Sequence, residues 1–303
     1  MRQHREPSAD HPIAFQVAAG LATARTPEGR LLAASRSAVI LREADLPEVF
    51  YFPRENVDPS ALTPTASKTW CPYKGEAAYD AVLGAPDKAW TYYDPFPAVA
   101  DVAGHVAFYP DAATVGTEEI AAPAPEAIDV LRFWFEEAKP SQHFKRDAGF
   151  DAEIARRFGA LHERAAAGEF EAWTRSADGT LALIVLLDQF SRNLHRGSPL
   201  AYAQDAAARA AADHAVARGF DLALAPDRRA FCYMPFLHAE DLGVQNRSVR
   251  LYEDRLPGAP NVRHAIEHRM DIHRYGRFRN RDEALRRGAY APAPSPTDAE
   301  AAT

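Results

Sequence analysis

Cysteine is nearly absent from this 303-residue chain: Cys71 and Cys232 are the only two. A disulfide-built scaffold needs more, and a thiolate zinc site needs closely spaced pairs. Neither is expected, and a reducing, cytoplasmic location is. Lysine is scarce as well, 5 residues against 30 arginines. Much of that imbalance fits a high-GC coding bias, but it leaves guanidinium, with its planar fork of donors, as the main cation available for anions. The longest strongly apolar run is Leu181–Leu187, far short of the roughly 20 residues of a membrane span. The N-terminal stretch MRQHREPSADHPI has no apolar segment of the kind a secretory leader carries. Asp-x-Asp, Gly-x-Ser-x-Gly and His-Glu-x-x-His do not occur. Two-metal phosphate chemistry, a nucleophile elbow and a zincin site therefore have no local signature. Excess positive charge is missing too: 35 basic against 42 acidic side chains leave a formal −7. Neither a nucleic-acid partner nor a membrane partner is expected.

What is present is core material, 47% hydrophobic residues, enough for more than one packed domain. The texture changes along the chain. Residues 11–111 are broken by Pro and Gly, with short apolar runs at Ala38–Leu41, Val49–Phe52, Ala89–Tyr93 and His105–Tyr109 that predict strands. Residues 112–125, rich in Ala, Pro, Thr and Glu, predict a linker. Residues 126–290 carry helical spacing, from Ile128, Leu131 and Phe135 through Phe150–Ala167, Gly179–Leu194, Pro199–Arg218, Asp227–Leu242 and Val262–Tyr275. Residues 1–10 and 291–303 are expected to be disordered tails. The charge divides unevenly. Residues 1–122 hold 10 basic and 16 acidic side chains, a balance of −6, whereas 228–287 hold 13 Arg against 8 acids, a local +5.

In the first part, the stretches Val49–Val57 and Thr69–Tyr79, followed by Ala89-Trp90-Thr91-Tyr92 and Val106-Ala107-Phe108-Tyr109, resemble the family called domain of unknown function 427 over about residues 11–111. The resemblance implies a small all-β, β-tent-like fold. Asn56 stands where that family commonly has Asp. A nucleotidyltransferase label sometimes attached to the family finds no paired carboxylates here. The candidate ligand-binding residues are Trp70, Cys71, Lys74, Trp90 and Tyr109. A thiol beside an ammonium is activated, and aromatics can hold a planar ligand. The same residues could instead simply pack the core.

The most informative stretch of the second part is Leu181-Ala182-Leu183-Ile184-Val185-Leu186-Leu187-Asp188-Gln189-Phe190-Ser191-Arg192-Asn193-Leu194-His195-Arg196. It opens apolar on all sides, as a buried helix does. It then carries Gln189, Arg192, Asn193 and Arg196 on one face, with Asp188 placed to pair with Arg192 at i, i+4. Later segments offer partners: His238 with Glu240 or Asp241, and His268 with Asp271, ahead of Arg277. His264 and His268 share a face with Asp271 but lack a full ligand motif, so no metal is expected, nor any cofactor.

With Phe133-Trp134-Phe135, Phe150-Asp151, Pro235-Phe236, Gln245–Ser248 and Gly276-Arg277-Phe278, these segments resemble the family called domain of unknown function 924, over about residues 127–288. The resemblance implies an all-α, tetratricopeptide-like stack of helices. Ser191 replaces a Pro usual in that family. The expected protein is therefore a small all-β domain followed by an all-α domain. Its expected function is binding of a small anionic ligand in a polar cavity of the helical part, through Asp188, Gln189, Arg192, Asn193, Arg196, His238, Glu240, His268 and Arg277. A helical adaptor for a protein partner and an enzyme using a His–carboxylate pair are the alternatives. A third outcome is that the same polar groups form a buried network that fixes helix order.

Overall fold

The structure, a computed structural model, describes residues 4–288. Its first part is all-β: β1 (Ile13–Val17), β2 (Leu21–Arg25), β3 (Leu31–Ser35), β4 (Val39–Glu43), β5 (Val49–Tyr51), β6 (Leu62–Cys71), β7 (Gly75–Val82), β8 (Ala85–Thr91), β9 (Val106–Phe108) and β10 (Thr114–Glu118). They form three small antiparallel sheets, ordered β1-β4-β5, β10-β2-β3 and β6-β7-β8-β9. One core cluster gathers Leu32, Phe52, Val57, Val106 and Phe108 around the alanines of β2 and β3. A second joins Leu41, Tyr51, Ala77, Tyr92 and Val102.

Two stretches differ from expectation. Residues 112–125, predicted to be a linker, contain β10, paired with β2 from Thr114–Arg25 to Glu118–Leu21. Its alternating Thr-Val-Gly-Thr-Glu pattern is that of a half-buried strand, hidden in the sequence by the Ala and Pro around it. Gly20, at φ +82, makes room for the pairing, because a Cβ there would lie 2.2 Å from the Glu118 carbonyl oxygen. At the N-terminus, Arg5 N–H donates to Pro72 O at 2.9 Å, and Ser8 and His11 exchange two backbone hydrogen bonds. Part of the expected tail 1–10 is thus held by the β part. Residues 1–3 and the expected tail 291–303 lie outside the described residues.

The remainder is helical: α1 (Pro125–Arg132), α2 (Ala148–Ala166), α3 (Ala177–Ile184), α4 (Ser191–Leu194), α5 (Asp205–Arg218), α6 (Pro226–Cys232), α7 (Met234–Leu237), α8 (Leu242–Arg255) and α9 (Pro260–Tyr275). Asp147 and Asp241 cap α2 and α8, accepting from Phe150 N–H at 3.0 Å and Val244 N–H at 2.8 Å. Between α3 and α4 the chain widens into a π-helical turn over Val185–Phe190. Such turns recur where a helix must re-aim side chains. No helix among the described residues is long and apolar enough to cross a membrane.

The chain divides into two compact units that do not follow the sequence texture. One takes in, among the described residues, 4–131 together with Glu171–Ala182 and Asp213–Cys232. The other holds Arg132–Phe170, Leu183–Ala212 and, among the described residues, 233–288.

In the first unit the β part is sealed by polar and steric contacts. Asn56 Nδ2 donates to Leu222 O at 2.6 Å, while its Oδ1 accepts from Ser35 at 2.8 Å. This explains the amide at position 56, since a carboxylate could not donate to that carbonyl. Arg229, 2% exposed, donates to Glu55 O at 2.6 Å and to the carbonyls of Asp221, Leu222 and Leu224 at 3.0–3.1 Å. Gly219, at φ +78, lies against Leu31 and Ala34, and a Cβ there would meet the Leu31 side chain at 2.6 Å.

Arg229→Ala strands several buried carbonyls at once. It is expected to cost on the order of 3 kcal/mol, measured as a lower urea midpoint. A change within 0.5 kcal/mol, the size of an ordinary surface substitution (roughly), would contradict that role for Arg229.

Candidate functional site

The second unit is organised around Asp188, which lies in the π-helical turn and has no exposed surface. An isolated buried carboxylate is costly, and here it is surrounded by donors. Arg192 Nη1 lies 3.0 Å from its Oδ1 as an ion pair, the i, i+4 pair expected from the sequence, and donates its hydrogen bond to the Asp188 backbone carbonyl at 2.7 Å. Gln189 Nε2 donates to Oδ2 at 2.5 Å. His238 Nδ1 lies 2.8 and 3.0 Å from the two oxygens. Burial would raise the Asp188 pKa, but Arg192 and His238 outweigh it and hold the carboxyl at about 2. An ionised carboxylate only accepts, so His238 Nδ1 carries the proton and Nε2 is bare.

His238 itself is fixed from two sides. Gln245, fully buried in α8, donates to the carbonyls of Leu237 and Ala239, both at 2.8 Å. Arg281 donates to the His238 carbonyl at 2.9 Å.

Beside this dyad is a cavity of about 250 Å³. Four guanidiniums line it, those of Arg146, Arg192, Arg196 and Arg281, and so do the imidazoles of His238 and His268. No carboxylate among the described residues does. The acids stand behind the wall. Asp151 accepts from Arg196 Nε at 2.5 Å and from Asn193 at 2.8 Å. Asp205 accepts from Arg281 at 3.1 Å and lies 2.9 Å from Arg192 Nη2 without a hydrogen bond between them. Four arginines against Asp151, Asp188 and Asp205 leave +4 − 3 = +1 when both histidines are neutral. Arg281 also stacks over Tyr202 and Phe278, at 4.6 and 4.8 Å. Arg146 is exposed and makes no ion pair or hydrogen bond within the described residues.

Of the residues proposed from the sequence, the structure brings Arg192, Arg196, His238 and His268 to the cavity, with Asp188, Gln189 and Asn193 immediately behind. Glu240 and Arg277 do not line it. Glu240 binds Arg287 at 2.6 and 2.9 Å and accepts from Phe278 N–H at 2.8 Å. Arg277 is tied to Asp282 at 3.0 Å and Gly288 O at 2.7 Å.

The proposed His–carboxylate pairs are replaced. His238 pairs with Asp188, not Glu240 or Asp241, because Asp241 is spent as the α8 cap. His268 Nδ1 donates to the His264 carbonyl at 2.9 Å, while Asp271 lines a separate groove. Arg146, Tyr202, Asn280 and Arg281 were missed. Arg281 sits in the Arg-rich run after α9, visible in sequence as charge but not as a site. Arg146 lies in a loop with no periodicity.

The β-domain candidates do not converge on one cavity. Trp70 lines one cavity with Tyr93 and Phe96, and Tyr109 another with Tyr79 and Lys88. Trp90 donates to the Tyr51 hydroxyl at 3.2 Å and packs on Tyr109 at 4.7 Å. Lys74 is buried against Glu43, which also binds His11 at 3.0 Å. Cys71 is a half-buried free thiol.

Residues 130–292 match the family model described as "Bacterial protein of unknown function (DUF924)", and residues 24–119 match "Domain of unknown function (DUF427)". No curated protein matches the chain. A solved structure of a protein of unknown function from Agrobacterium tumefaciens, ATU0120, is 40% identical. It aligns over 58% of this chain and 96% of that one, with a TM-score of 0.52.

Four histidines of the second unit have lowered pKa values, each chiefly through burial: His143, His162, His238 and His268. Each contributes stability that is present above its unfolded value near 6.5 and lost as the pH falls through the lowered folded value. Urea midpoints are therefore expected to fall steadily from pH 7.5 to 5, with proton uptake on unfolding. A midpoint that rises over that range would contradict the assignment.

Proposed function

We propose that this chain, which belongs to the DUF924 family, binds a small anionic metabolite in the cavity walled by Arg146, Arg192, Arg196 and Arg281. The observation that carries the reading is the lining itself, cationic and imidazole groups with every compensating carboxylate set behind it. Carboxylates held in that position keep the guanidiniums ordered and lower the cost of the buried charge. The volume suits an ion the size of phosphate or a short dicarboxylate, below the range of most cofactor pockets. A protein-docking role would draw on an apolar surface. Leu242 and Met270 are exposed in one groove, but Arg269, Asp271, His273 and Arg274 line it too, which favours the small-ligand reading.

Arg146 offers the clean test because it makes no ion pair or hydrogen bond within the described residues. Inorganic phosphate, sulfate, oxalate or malonate at millimolar concentration is expected to raise the melting temperature of the full chain. Arg146→Ala should weaken the binding about five- to tenfold while leaving the ligand-free melting temperature unchanged. Failure of all four anions to shift the melting temperature or to give a heat of binding would remove the proposal.

A further inference from the structure

The cavity is not lined by donors alone. Hydrogen-bond constraints outside it fix both imidazoles in one tautomer. His238 Nδ1–H is committed to Asp188, which is fully buried and does not line the cavity. The ring edge that faces the cavity therefore presents Nε2, which has no hydrogen-bond partner within the described residues. His268 Nδ1–H is committed to the His264 carbonyl, an obligate acceptor, so its Nε2 is bare as well. The lining that carries four guanidiniums thus also carries two imidazoles whose Nε2 lone pairs are unused. A fully ionised anion with no proton can satisfy the arginines, but it meets those lone pairs with oxygens of its own. An anion that keeps an O–H satisfies both.

On the reading that this cavity is an anion site, we infer that its ligand bears an O–H beside its charged oxygens and donates it to His238 Nε2. Hydrogen phosphate and a 2-hydroxycarboxylate both have this chemistry. Sulfate and a simple carboxylate lack it. The alternative way to admit a donor-free anion is to protonate the imidazole, which turns Nε2 into a donor. Asp188 favours that protonation. Burial, Arg192 and Arg281 oppose it for His238; for His268 burial, the largest influence, and the neighbouring His238 and His264 rings oppose it, while the His264 carbonyl and Asp271 favour it, and the net direction is downward. Arg146 and Arg196 add further positive charge to the same wall, with Asp151 and Asp205 behind it. At neutral pH protonation is therefore the costlier route.

Calorimetric titration of the full chain at pH 7.5 with phosphate, sulfate, glycolate and acetate separates the cases. A preference of about tenfold or more for phosphate over sulfate supports the inference and points to a phosphate. The same preference for glycolate over acetate supports it and points to a 2-hydroxycarboxylate.

Sulfate does not itself titrate between pH 8 and 6. Its affinity is expected to rise several-fold over that range as one proton is taken up with it. His238→Asn should abolish both the preference and the proton uptake while sulfate still binds. Because that change alters the partner of buried Asp188, His268→Asn is the second variant, expected to reduce the preference without unfolding the chain. Equal affinities within each pair, together with sulfate binding that does not depend on pH, overturn the inference and leave the anion site standing. Absence of binding by all four anions overturns both.

Discussion

A carboxylate with no exposed surface is stable only where its charge is met on every side, and the second unit is arranged to do so at Asp188. The three side chains that meet its charge, two by hydrogen bonds and Arg192 as an ion pair, come from different places: one residue on in the π-helical turn, one turn on in α4, and fifty residues away after α7. Satisfying Asp188 therefore fixes where α4 begins, which rotamer Arg192 adopts, and which ring nitrogen of His238 carries a proton. The cavity inherits its chemistry from that one buried ion. The π-helical turn belongs to the same constraint, since every residue of Val185–Phe190 is buried and the wider turn carries Asp188 and Gln189 together.

Asp151 and Asp205 repeat the principle at lower burial. Asp151 holds Arg196 and Asp205 holds Arg281 from outside the cavity, so these guanidiniums reach it as oriented groups rather than mobile ones. Tyr202, beneath Arg281, adds a flat surface that confines the guanidinium plane. Ser191 shows how a local change is absorbed. Its hydroxyl donates to Leu187 O at 2.6 Å, so His162 Nε2–H must donate to it, at 2.8 Å. Neither polar group is left unmet in the apolar interior.

Much of this was legible in the sequence, and the reasons for the rest are physical. The strands at Ala38–Leu41, Val49–Phe52, Ala89–Tyr93 and His105–Tyr109 appear as β4, β5, β8 and β9, because short apolar runs between turn residues have few alternatives. The polar face after Leu187 and the Asp188–Arg192 pair follow from helical spacing. The partner of His238 does not, because the contact joins residues fifty apart and local sequence offers Glu240 and Asp241 as nearer carboxylates. In the β part, Trp70 and Cys71 are adjacent in β6, and adjacent strand residues face opposite sides of a sheet. Neighbours in sequence were therefore poor evidence for a shared pocket. β10 went unrecognised because its apolar content is one valine.

Arg229 and Asn56 bear on how the chain is made. The last strand of the β part is complete at Glu118, yet the carbonyls and the guanidinium that seal it lie between Leu222 and Arg229. At a ribosomal pace of about 5–20 residues per second, that is a wait of roughly 5–20 s. During it the Asn56 amide and the Glu55 carbonyl face water, and Leu31 lacks the backbone of Gly219 against it. The β part therefore leaves the ribosome as an unfinished body whose closing piece is encoded about a hundred residues downstream. Translation stalled between residues 119 and 213 would release it with that side open.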